Sequence, residues 1–415
     1  MKNCFKIIIF TILLSGLFAC KSKTDHALEQ GIWRATLKTI SGASIPFNFE
    51  VIDSADQQFL EIINGDERFR VNEIYTESDS IFIKMPLFDS EIRAKLKNGS
   101  LHGQWIKHFA DSSEVMMLEA QKGYSWRFFK AKTKPELVVT GSWSVTFHDA
   151  KTGNSIPAIG EFTQQDGRLI GTFLTSTGDY RFLEGTVSDN KLYLSCFDGS
   201  HAFLFTGKIL DSNTIVDGNF YSGLSSVQTW TARKDDNAIL PDAYSMTALR
   251  DGFDKIDFSF PDLNGKNVSL SDSKFKNKVV LVQFFGSWCP NCMDETAYLV
   301  PLYKKYQEKG LEIVALAYER TRDYERSKRN LLRLRERFDV PYVMLITGYI
   351  NDKAEVAKSL PMLKQFVAFP TMIIIDKQGK VRKIHTGFSG PGTGVHYADF
   401  KNEFEKTIEN LLIEE

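Results

Sequence analysis

Five short patterns recur in the same order about 110 residues apart, and they tie much of the chain to one architecture used twice. Gly31-Ile32-Trp33 returns as Gly141-Ser142-Trp143, and Ser44-Ile45-Pro46 returns as Ser155-Ile156-Pro157. Gly65-Asp66-Glu67-Arg68-Phe69 returns as Gly178-Asp179-Tyr180-Arg181-Phe182, and Phe88-Asp89 as Phe197-Asp198. Ala120-Gln121-Lys122 and Ala232-Arg233-Lys234 close the two copies. Within each copy, runs such as Phe47-Asn48-Phe49-Glu50-Val51, Ile81-Phe82-Ile83 and Leu192-Tyr193-Leu194 alternate with a period of two. Gly, Asn, Asp and Ser separate the runs, which is the pattern of short strands joined by turns. Each unit therefore reads as seven or eight strands without a helix, enough for a small up-and-down barrel or a sandwich.

The opening Gly-x-Trp resembles the start of lipocalin-like and avidin-like barrels. Such barrels can hold a ligand, so the repeats read either as a ligand- or partner-binding module or as spacers. Cys196 stands alone in an alternating segment and reads as a packed core thiol. The seven histidines show no metal-ligand spacing with Cys or carboxylates. His102, His108, His148 and His201 read as loop or strand-face residues, and no metal site is expected.

The N-terminus reads as an address. Lys2 and Lys6 precede an apolar run from Ile7 to Ala19 that ends at Cys20. A basic start, a short apolar core and a small residue before the cut form a secretory signal peptide; a membrane span needs about 20 residues. Leu17-Phe18-Ala19-Cys20 resembles a bacterial lipobox, which implies lipidation at Cys20. The expectation is an exported, periplasmic, membrane-anchored lipoprotein, in an oxidising compartment that gives weight to paired cysteines.

From about Lys255 the texture changes. Val279 to Phe285 is an apolar strand interrupted only by Gln283, and it runs into Gly286-Ser287-Trp288-Cys289-Pro290-Asn291-Cys292. A helix to about Lys309 follows, with Pro301 as an expected kink. Strands over Leu311–Ala317, Tyr342–Ile346, Thr371–Ile375 and Val381–His385 alternate with a charged helix over Arg320–Phe338, and Lys401–Ile413 closes the chain as an amphipathic helix. Parallel strands linked by helices give an α/β sheet covered on both faces. Cys-x-x-Cys between a strand and a helix brings two sulfurs within bonding distance at the helix N-terminus, where unpaired amides and the dipole lower the first thiol's pKa. Cys289 is then the attacking thiolate, and Cys292, one turn deeper, resolves the mixed disulfide. Half a zinc site or a structural disulfide would share the spacing. No second Cys or His pair accompanies it, and Trp288 and Pro290 favour redox chemistry.

These residues resemble the TlpA/ResA type of extracytoplasmic thioredoxin-fold thiol-disulfide oxidoreductases. The likeness rests on Phe260-Pro261-Asp262-Leu263-Asn264-Gly265-Lys266 with Val268-Ser269-Leu270-Ser271-Asp272, on Trp288-Cys289-Pro290-Asn291-Cys292, and on Phe369-Pro370-Thr371 with Ile375-Asp376 and Gly379-Lys380-Val381. It implies that Pro370 is a cis-proline facing the disulfide and that a substrate strand pairs beside it. It also implies that Trp288, Pro290, Asn291 and Phe369 shape docking. Thioredoxins carry a buried Asp six residues ahead of the first cysteine; here Gln283 stands there. Relatives with a non-acidic residue at that place use a Glu three residues after the second cysteine, which implies that Glu295 handles the proton of Cys292. Phe369 is bulky for its position, and Ala368 stands where Gly is common. Gly348–Leu363 exceeds what the fold needs and is expected to form an extra helix at the site's rim.

The expected organisation is a signal peptide (1–20), a tether (21–28), the first repeat (29–124), a linker (125–136), the second repeat (137–236), a linker (237–254) and a thioredoxin-like domain (255–415). The fold class is thus multidomain, two all-β repeats followed by an α/β domain. Fifty-one basic against 52 acidic residues give a net charge of -1, which excludes a field built for nucleic acid. Neither a flavin nor a nicotinamide signature is present, and Gly390-Pro391-Gly392-Thr393-Gly394 lacks the Gly-Lys-Ser/Thr of a phosphate loop. No cofactor is expected. The expected partners are a protein or small thiol/disulfide substrate and a membrane thiol electron donor. Two alternatives stand beside this reading. One is a thiol peroxidase, although Gly286 replaces the Thr three residues before the reactive cysteine. The other is a binding or adhesion lipoprotein whose β repeats do the work.

Overall fold

A computed structural model describes residues 28–54, 57–130 and 137–414. The signal segment and Cys20 lie outside the described residues. Among these residues each repeat folds as nine antiparallel strands, more than alternation alone predicts. The additional ones are short or exposed, such as Gly178–Asp179 and Glu73–Glu77, and they carry no apolar period to read.

The opening and closing strands of the two units pair in corresponding registers. Trp33 lies opposite Phe49 and Lys122, and Trp143 lies opposite Gly160 and Lys234. Each indole N–H donates over 2.9 Å to the carbonyl four residues earlier, of Glu29 and of Val139. Such a bond satisfies a buried polar group that would otherwise cost 1–3 kcal/mol, order of magnitude about 2 kcal/mol. In the second repeat Ser155–Gln165 pairs with Arg168–Thr175, which pairs in turn with Leu183–Ser188. Eight strands thereby close into a barrel, which removes the free sheet edges. Its interior is filled by Phe147, Phe173, Phe205 and Trp230, all fully buried. Gly178–Asp179 is left as a short arm off the barrel wall. In the first repeat the aligned Gly65–Asp66 is a turn, and the strand after it, Glu67–Val71, ends its sheet.

In the C-terminal domain five strands lie in the order Val343–Ile350, Leu311–Glu319, Val279–Phe285, Thr371–Ile375, Val381–Thr386. The first three are parallel, but Thr371–Ile375 runs antiparallel to Val279–Phe285. The all-parallel expectation is therefore corrected to a mixed sheet. The cause is the connection. After Val343–Ile350 the chain makes the short helix Lys353–Ser359 and the short strand Leu363–Gln365 but no full-length crossover back to the starting end, so Thr371–Ile375 enters from the opposite end. Alternate residues of the central strand face opposite layers: Val279, Leu281 and Phe285 join one core, and Val280, Val282 and Phe284 the other. Helix α1 (Pro290–Tyr306) and the C-terminal helix Val395–Ile413 contribute Leu299 and Ile408 to the first core. The latter helix begins six residues earlier than the period suggests.

Segments expected as tether and linkers are packed in part. Leu28 is buried, its amide and carbonyl both bonded to the Gln58 side chain. Arg127 is buried between the repeats, bonded to Ser195 and Ile63 and paired with Glu184 at 3.3 Å. Ala248–Leu249 pairs with Leu363–Gln365, and Thr247 bonds to Thr386. The charged helix, Tyr324–Phe338, docks on the first repeat: Arg326 reaches Asp89 and the carbonyl of Phe109 at 2.7 and 2.8 Å.

Candidate active site

The central strand ends at Phe285 and the chain turns at Gly286 into Trp288 and Cys289. The turn is held by Glu319, at the end of the neighbouring strand, whose carboxylate accepts from the amide and the hydroxyl of Ser287, both at 2.7 Å. Nothing in the sequence marks Glu319 for this role, because it depends on two strands lying side by side. The Trp288 indole donates to the Tyr318 carbonyl at 2.8 Å, fixing the ring against Phe369 at 5.5 Å between centroids. Cys289 is the N-cap of α1 and Pro290 its first residue, where a missing N–H costs nothing.

Cys289 and Cys292 form a disulfide with Cα atoms 5.2 Å apart. The Cys292 amide donates to Cys289 Sγ over 3.2 Å. When the pair is reduced, the same amide and the helix dipole would stabilise a thiolate at Cys289. Cys289 is 5% exposed and Cys292 is completely buried, so only the first sulfur faces an incoming reagent. Pro370, in a cis bond after Phe369, is buried, and Phe369 lines the same cleft as Cys289. Phe366 and Tyr318 hold Phe369 from behind, at 4.7 and 5.6 Å. Tyr318 is tied to Ser359 of the extra helix at 2.7 Å.

Glu295 lies under the disulfide turn, almost fully buried, and accepts from the Gln283 amide at 2.9 Å. Burial pushes its carboxyl up to about 8, with the Gln283 bond opposing only in part. The same amide reaches Thr296 Oγ1 at 3.2 Å. The two positions singled out by sequence thus touch, because residue 283 shares the α1-facing side of the strand with Leu281 and Phe285.

The second repeat closes over this site. Its Gly178–Asp179 arm lies on α1: the Asn291 amide donates to the Asp179 carbonyl at 3.1 Å, and the Gly390 amide to the Asp179 carboxylate at 2.6 Å. Gly178 has φ 143°, and a Cβ there would collide with the Asn291 amide. Arg181 donates to the Pro290 carbonyl at 3.2 Å and pairs with Asp294 at 3.3 Å and Glu67 at 2.5 Å, so one guanidinium joins both repeats to α1. Burial opposes its charge, yet Asp294, Glu67 and Asp198 outweigh that and hold it well above its ordinary value. Burial raises Asp294 to about 7 despite Arg181. Pro290 and Asn291, expected to dock substrate, are therefore also clamped by the protein itself.

The family described as Redoxin matches residues 253–400. Over 141 residues the chain is 34% identical to the thiol-disulfide oxidoreductase ResA of Geobacillus thermodenitrificans, covering 34% of this chain and 72% of that protein. The chain belongs to the ResA-type thiol-disulfide oxidoreductase family. ResA of Bacillus thuringiensis subsp. konkukian is 35% identical over 124 residues, 30% of this chain; the chain spans 62% of that relative's length. The thioredoxin domain of a thiol-disulfide oxidoreductase from Bacteroides vulgatus is 27% identical with TM-score 0.29, covering 39% of this chain and 99% of that one. In the ResA-type domain described above, the Cys-x-x-Cys pair and the cis-proline fall inside the matched residues, and both β repeats precede them.

Proposed function

We propose that this chain is an exported, lipid-anchored enzyme that reduces disulfides through the Cys289–Cys292 pair. One observation carries the reading: a Cys-x-x-Cys disulfide caps α1, with one sulfur facing a cleft and the other sealed in the core. In the reduced form the Cys289 thiolate attacks a substrate disulfide, forming a mixed disulfide and releasing one thiolate that takes a proton from solvent. Cys292 then attacks Cys289 Sγ, restores the internal disulfide and releases the second substrate thiol. Two electrons pass from the dithiol to the substrate, and an external dithiol, in the cell a membrane thiol donor, returns the pair to its reduced state. In its ionised form Glu295 receives the Cys292 proton as that sulfur becomes nucleophilic, which its pKa, raised to about 8, favours at mildly alkaline pH. Pro370 and Phe369 flank the reacting sulfurs, with Trp288 as a wall. The basic and apolar N-terminus ending at Cys20 supports export and anchoring.

The reduction potential of the pair, measured by equilibration in thiol buffers and mass-resolved alkylation, tests the direction. A value near −270 mV, about the thioredoxin level, fits a reductase, whereas about −120 mV would mean that the chain inserts disulfides.

A further inference from the structure

The disulfide opens into a cleft of about 410 Å³ whose walls come from all three units. The C-terminal domain supplies Trp288, Phe369 and Arg320, the second repeat Tyr180 and His201, and the first repeat Lys107. Two of these are cations held in place without a carboxylate partner. Lys107 Nζ donates to the Ser200 carbonyl at 2.7 Å, and Ser200 Oγ donates to the Trp288 carbonyl at 3.2 Å, which locks the lysine to the redox turn. Arg320 spans from the Phe109 ring at 4.8 Å to the Trp288 ring at 5.5 Å and donates to the His108 carbonyl. Among the described residues neither cation forms an ion pair. Of the nearby acids, Asp198 is bonded to His201 at 3.1 Å and Asp179 accepts from the Gly390 and Arg181 amides, while Glu114 acts on both cations, and Glu319 and Asp89 on Arg320, from beyond ion-pair distance.

We propose that this cleft is the substrate site and that it takes a small disulfide bearing carboxylates, held by Lys107 and Arg320 while its sulfur meets Cys289. The proposal rests on the disulfide-reductase reading above. Size supports it, since a cleft of this volume suits a small molecule, whereas a folded partner needs about 800 Å² of its own surface. The second repeat also walls the opening beside Phe369, with the Thr177 backbone against Gly387, where a Cβ would come within 2.7 Å. Charge supports it too. Burial, followed by the field of Arg320, pulls Lys107 down to about 8, with the more distant Glu114 and Asp198 opposing only in part.

The test uses the full chain, reduced beforehand and freed of reductant, so that one turnover oxidises Cys289 and Cys292 and reduces one disulfide to two thiols. Three disulfides of similar size serve as probes: dithiodipropionate, a dianion; bis(hydroxyethyl) disulfide, neutral; and cystamine, a dication. Acid-quenched alkylation read by mass gives each rate constant, normalised to the rate of dithiothreitol with the same probe. The expected dianion-to-dication ratio is about 30-fold at low salt, collapsing toward unity at high ionic strength. Lys107→Gln and Arg320→Gln should each cut it about tenfold, while Lys107→Arg should keep it. A ratio near unity, or one that neither Gln variant changes, would overturn the proposal while leaving the reductase reading intact. So would faster reaction with insulin than with every small probe. Failure to react with any disulfide would overturn both.

Discussion

Glu295→Gln gives the sharpest test of how the site is poised, because it predicts a stabilisation. The wild-type carboxyl titrates near 8 rather than 4.5 because it is buried. A group whose folded pKa is raised in this way is neutral in the fold while the unfolded chain ionises it. Stability is therefore full below about pH 4.5, is lost as pH rises through the interval, and levels off above 8. The whole interval corresponds to about 5 kcal/mol at 1.4 kcal/mol per pH unit, order of magnitude. Glutamine keeps the shape and the contact to Gln283 but cannot ionise, so the loss should vanish. Urea unfolding of the oxidised protein, followed by tryptophan fluorescence at pH 4.5 and pH 8.5, reads the difference. Relative to wild type, the variant should gain several kcal/mol between the two pH values while its disulfide turnover falls. A gain of zero or less would mean that the carboxyl keeps an ordinary low pKa in the fold, and it would then be too weak a base to take the Cys292 proton.

Other expectations follow from the same geometry. Cys289→Ser should abolish insulin-disulfide reduction and Cys292→Ser should trap mixed disulfides visible by mass; full activity of Cys289→Ser would refute the assignment. Arg181→Met leaves the buried Asp198 and the half-buried Glu67 and Asp294 without their shared cation and should cost about 3–5 kcal/mol, seen as earlier unfolding and faster proteolysis between the second repeat and α1. Gly178→Ala should loosen the same contact through its positive φ and the clash with Asn291, measured as faster hydrogen exchange at residues 177–181 and 290–292. Phe173→Ala, which empties the centre of the closed barrel, should cost about 3–5 kcal/mol in denaturant unfolding.

Local pattern carried far into this molecule. Repeated Gly-x-Trp openings and closing Ala-x-Lys runs reported two copies of one β unit, and their registers agree residue for residue. Strand–turn–helix punctuation around Cys289 and Cys292 reported the redox pair, and the period of two along Val279–Phe285 puts Gln283 on the face of α1 that carries Glu295. These features are written in neighbouring residues, so they survive reading in one dimension. Sheet direction did not, because Thr371–Ile375 enters antiparallel for want of a crossover, a property of the path and not of the strand. The docking of the positive helix was not legible either, because its acidic and carbonyl partners, Asp89 and Phe109, lie more than 200 residues away. The cleft is the strongest case. Lys107 carries no local signal, His201 reads as a loop or strand-face residue and Arg320 as part of a charged helix, and only the seating of both repeats on α1 gathers them around one sulfur. The sequence determined the reactive pair, since a thiolate needs only its own helix. Tertiary structure decided what reaches it, since a binding wall is assembled from segments that no local signal connects.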